Sequence, residues 1–133
     1  MARPGQQTQL AVLTIELVVV ATLVGVGPTF PRDVPAGTAW SFLGSHALEA
    51  AHAGLGALVL IQAVVLVVSS RRSITSVVLA AGVATAVASG ATYVSAGQAD
   101  TPLTVMTLGW LVSLVAAVVG LARGRRGSVR ETG

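Results

Sequence analysis

The chain has 133 residues, 53% of them hydrophobic and only 10% charged, with a mean hydropathy of +0.82. A soluble domain of this length could not hide that much apolar surface, whereas a bilayer accepts helices that are apolar all round, provided the backbone hydrogen-bonds to itself. The formal charge of +3 comes from arginine without lysine and gives no sign of nucleic-acid binding; the lack of cysteine excludes disulfides, thiolate metal sites and cysteine nucleophiles.

Four long apolar segments follow one another, Leu10 to Val26, Ala47 to Val68, Ile74 to Val94 and Leu103 to Leu121. Each is at or near the roughly 20 residues that cross the hydrocarbon core. The chain therefore reads as all-α, an integral membrane antiparallel four-helix bundle in a single domain, with spans over about 10–27, 46–69, 74–95 and 102–122. The first span is longer than the apolar part of a secretory signal, and Val24-Gly25-Val26-Gly27 is a weak cleavage sequence, so it reads as an uncleaved anchor.

The connection Gly27 to Ser45 contains Pro28, Pro31, Pro35 and Gly37 and is expected to be non-helical and outside the hydrocarbon, with Trp40 and Phe42 near the interface. Ser69-Ser70-Arg71-Arg72-Ser73 is short enough to force the flanking spans to be antiparallel neighbours. The third connection runs from Gly97 to Pro102, with Thr101 expected as the N-cap of the fourth span and Pro102 in its first turn.

Seven of the eight arginines (Arg3, Arg71, Arg72, Arg123, Arg125, Arg126 and Arg130) fall on one side of this topology, and on the other Arg32 is offset by Asp33. The positive-inside rule then places both termini and the Arg71-Arg72 turn in the cytoplasm of a multi-pass cell-membrane protein. Small residues recur every four positions, as Gly82, Ala86 and Gly90 and as Gly109, Ser113 and Ala117. Such stripes let backbones approach closely, either within one bundle or between copies in a homo-oligomer.

Ionisable groups within the spans are few: Glu16 in the first, Glu49 and His52 in the second, and His46 at the outer end of the second. Each is costly there and so is a functional candidate. Glu49 and His52 are neighbours on one helical face, about 4.5 Å apart along the axis, while His46 is turned about 120° from His52 and displaced about 9 Å. Glu16 and the Glu49–His52 face are expected to share a polar site open to the outside; the bland alternative is a neutral Glu16 hydrogen-bonded to hydroxyls such as Thr92, Thr104 or Thr107. Gln62, Tyr93 and Trp110 read as packing or anchoring residues.

Two resemblances follow. With Ile15-Glu16-Leu17 in its first helix, Pro28-Thr29-Phe30-Pro31 in the outer loop, Glu49 to Gly56 opening the second helix and Gly90-Ala91-Thr92-Tyr93 before Asp100, the chain resembles small four-span membrane proteins of high-GC actinobacteria. That group carries no established activity, and the resemblance implies architecture alone. Locally, Glu49-x-x-His52-x-x-Leu55-Gly56 is similar to the histidine-bearing helix of haem-binding four-helix membrane bundles, haem A synthase halves and b-type cytochromes among them. That resemblance implies His52 as an axial ligand of haem b. The third and fourth spans contain no histidine to complete an axial pair, so the haem would be five-coordinate or shared across a dimer.

Three functions compete on these residues. The first is an accessory or assembly component, without a cofactor, that joins a larger membrane complex. The second is a haem or redox protein using His52, and the third is proton-coupled solute transport by an oligomer with Glu16 and Glu49 as relay groups. No nucleophile with a nearby base, phosphate loop or metalloprotease helix is present, so the sequence does not read as an enzyme.

Overall fold

In the computed structural model, which describes residues 4–70 and 73–129, the chain forms five helices: α1 (Pro4–Val26), α2 (Ala36–Ser45), α3 (Ala47–Ser69), α4 (Ile74–Ser95) and α5 (Asp100–Val129). Four of them, α1, α3, α4 and α5, are long and apolar enough to cross a membrane. Between 17 and 28% of the apolar stretch of each is buried inside the protein, so most of that surface faces outward, with Ile15, Val68 and Ile74 each more than 60% exposed. Only a lipid solvent tolerates that arrangement, and the chain is a multi-pass integral membrane protein.

The four long helices form a ring in which α1 touches α3 and α5, and α4 touches α3 and α5. The core runs down its axis, built from Leu10, Leu13 and Leu17 of α1, Val59, Ala63 and Leu66 of α3, Leu79 and Val83 of α4, and Ala116 and Ala117 of α5. Spacings of three and four residues place each set on one stripe of its helix.

The closest approach is between α4 and α5. A Cβ at Gly109 would lie 2.7 Å from Gly82 O and 2.9 Å from Ala86 N, and one at Gly82 would lie 2.7 Å from Gly109 O. Any side chain at either position would drive the backbones apart. The two small-residue stripes thus face each other inside one bundle, and Ser113, fully buried beside them, shares its one hydroxyl proton between Gly109 O in its own helix (2.8 Å) and Leu79 O across the contact (3.2 Å).

The connection between α1 and α3 departs from the expected irregular loop, because α2 occupies its second half. All three prolines precede this helix, and Pro35 stands at its N-cap, where its missing N–H costs nothing; Thr38 and Ala39 donate to Pro35 O. The helix lies across the ends of α3 and α4, burying Ala39, and exposed Trp40 donates from Nε1 to Ser95 Oγ (3.2 Å).

At the same end α4 stops in a Schellman-type turn: Gly97 has φ of +77°, and Gln98 N donates to Tyr93 O (3.1 Å). Buried Gln98 then pins the outer loop, accepting from Val34 N at Oε1 (3.0 Å) and donating from Nε2 to Val94 O (3.2 Å). Helix α5 begins at Asp100, so Thr101 lies inside its first turn rather than capping it, and Arg32 pairs with Asp100 (3.4 Å). At the opposite end Ser73 caps α4 by accepting from Ser76 N (3.3 Å). The arginine asymmetry rests on Arg3, Arg71, Arg72 and Arg130, which lie outside the described residues, and on Arg123, Arg125 and Arg126 in the last turns of α5.

Candidate functional site

Polar side chains are gathered on the contact between α1 and α3, which run antiparallel. On α1 they occupy positions 6, 9 and 16, and on α3 positions 49, 52 and 62, interleaved with the buried Leu13, Val59 and Leu66. These spacings put them on the stripes that form the core, so the groups face the partner helix rather than lipid.

Read from the Gln6 end, the seam is a ladder. Gln6 Nε2 donates to Ser69 O (3.2 Å), Gln9 Nε2 to Gln62 O (3.2 Å), and Gln62 Nε2 to Glu16 Oε1 (2.9 Å). Further along, His52 Nδ1 donates to Val20 O (3.0 Å). At the far end the Glu49 carboxylate lies over Gly27, where a Cβ would come within 2.5 Å of Glu49 Oε1 and would displace the carboxylate. From the third side Trp110 of α5 donates from Nε1 to Leu17 O (2.8 Å).

Glu16 has one satisfied oxygen. Its Oε2 is buried and makes no hydrogen bond, a condition shared among the described residues only with Gln7 Nε2. The hydroxyls expected as partners are engaged elsewhere: Thr92, Thr104 and Thr107 donate to the carbonyls of Ala88, Asp100 and Leu103, one turn back in their own helices.

His52 donates from Nδ1, which in a neutral imidazole leaves Nε2 with a lone pair. No hydrogen bond joins His52 or Glu49 to Glu16. Glu16 is bonded to Gln62 and His52 to Val20 O, one turn from Glu16 on α1, so the groups lie on one seam but each has its own partner. His46 leaves the group altogether. It is the residue between α2 and α3, in extended conformation, with its ring stacked on Phe42 at 3.9 Å and Nδ1 donating to Phe42 O (2.9 Å). No cluster of three or more metal-ligating side chains occurs among the described residues.

The sequence pointed to Glu16, Glu49 and His52 but not to Gln62 or Trp110. The available signal was positional: Gln62 falls on the stripe of α3 that carries His52, Val59 and Leu66, and an amide in lipid must find a partner on the neighbouring helix. A comparison with protein families, curated proteins and solved structures finds no match for this chain. Both resemblances therefore rest on the residues that suggested them.

Proposed function

We propose that the chain is an accessory or assembly component of the cell membrane, with both termini and the Arg71-Arg72 turn in the cytoplasm. The observation that carries this reading is the use made of the ionisable groups. Glu16 and His52 are each bonded across the α1–α3 contact, to Gln62 and to the Val20 carbonyl, and not to each other. Their role is to hold the helix pair, and the outward surface of the bundle is left for association with lipid or a larger membrane complex. Purification from native membranes in mild detergent is expected to retain a complex of fixed stoichiometry, and a chain that always elutes free of other proteins would contradict the reading. Orientation is testable because the chain has no cysteine of its own. Gly44→Cys, placed in open space, is expected to react with a membrane-impermeant maleimide from outside, and Ser128→Cys only after permeabilisation.

A second reading, a small b-type haem protein, is favoured by one observation. The Val20 carbonyl on Nδ1 is the kind of partner that orients a metal-ligating imidazole and presents Nε2. His52 fits one axial position, whereas His46, stacked on Phe42, does not fit the other. A Soret band abolished by His52→Ala would establish this reading; a flat spectrum after haem supplementation would reject it.

A further inference from the structure

The α4–α5 pair has an outward face that the polar seam does not use. Two adjoining hollows, of about 410 and 360 Å³, share Val78 and Val112 and form one trough along that face, from Arg123 at one end to Val105 at the other. Towards its Val105 end the trough is floored by the Gly82–Gly109 contact, where two helices meet without side chains to fill the furrow. The helix rises about 27 Å from Val105 to Arg123, close to the thickness of the hydrocarbon core. Its walls are apolar and exposed, with Val115 61% and Val112 46% accessible.

Among the described residues that line the trough, Arg123 alone is charged. Its Nη1 donates to Thr75 Oγ1 (3.3 Å), and among the described residues no carboxylate pairs with it. A guanidinium has five N–H donors, so most remain available to an anion. An apolar furrow of membrane length ending on an unpaired arginine has the chemistry of a phospholipid: the acyl chain along the valines, the phosphate at Arg123. A guanidinium without a carboxylate partner favours a headgroup with net negative charge over one that brings its own cation.

We propose that the α4–α5 trough binds an anionic phospholipid, its phosphate on Arg123 and one acyl chain along Val119, Val115 and Val112 towards Gly109. The proposal requires only that the helices span the bilayer and is independent of the accessory reading. The test is native mass spectrometry of the full chain in detergent, titrated with phosphatidylglycerol or phosphatidylcholine of matched acyl chains. One phosphatidylglycerol is expected to be retained with about a fivefold preference. Arg123→Gln is expected to bring phosphatidylglycerol down to the phosphatidylcholine level, Arg123→Lys to keep most of the preference, and Val115→Trp to weaken both lipids by filling the trough. Arg32→Gln, at the other end of the bundle, is expected to change nothing. Equal retention of the two lipids, or a preference that survives Arg123→Gln, would overturn the proposal. So would competition by inorganic phosphate as effective as that of the lipid, because the acyl trough would then contribute nothing.

Discussion

The α1–α3 and α4–α5 contacts lie in one bundle and one solvent, yet they are held by different means. Between α4 and α5 the backbones touch at Gly82 and Gly109, and the contact is made by shape. Between α1 and α3 bulkier residues keep the backbones apart, and side-chain amides, a carboxyl and an imidazole bridge the gap. Lipid gives no hydrophobic drive to helix association, so each pair must gain from something lipid cannot offer. The first gains close van der Waals contact and the second hydrogen bonds. Shape tolerates no added atoms, whereas a ladder of separate bonds can lose one rung at a time.

The largest expected effect is therefore on the shape side. Gly109→Leu puts a side chain against Gly82 O and Ala86 N and is expected to cost about 3 kcal/mol or more, as overpacking does when backbone must move. Reversible unfolding in bicelles would measure it, and a cost below that of losing one ladder bond would remove the distinction. On the ladder side, Gln62→Leu leaves Glu16 with neither oxygen bonded and is expected to cost about 1 to 3 kcal/mol in the same assay. Ser113→Ala removes the one side-chain bond from α5 to Leu79 O while keeping the close approach, and a loss of about 0.6 kcal/mol is expected. Smallest is Arg32→Ala: the Arg32–Asp100 pair is 61% and 81% exposed, and thermal unfolding is expected to register less than about 0.5 kcal/mol.

These two contacts also differ in how far they could be read from the sequence. The small-residue stripes behind the α4–α5 contact were legible, because Gly82, Ala86, Gly109 and Ser113 recur at four-residue spacing, but whether they meet within one bundle or between copies was not. The four spans were legible for the same kind of reason, since length and apolarity alone define them. The ladder was only half legible: Glu16 and His52 stand out as costly, but their partners are Gln62 and the carbonyl of Val20, and a backbone carbonyl carries no sequence signal. Helix α2 was missed because its prolines were counted as a set, although what matters is that each lies on its N-terminal side. His46 was placed in a span because the apolar run begins at the next residue, whereas its stacking on Phe42 depends on α2.

The account stands most directly on whether Glu16 and Gln62 hold α1 to α3. A double-mutant cycle of Glu16→Leu, Gln62→Leu and the pair together, read as unfolding free energy in a bilayer, measures that and nothing else. The predicted result is a coupling of about 1 kcal/mol, with the double variant less destabilised than the sum of the single ones. Strict additivity, with no coupling, would show that the two side chains do not act together and would contradict the assignment of this seam as the bond between the helices.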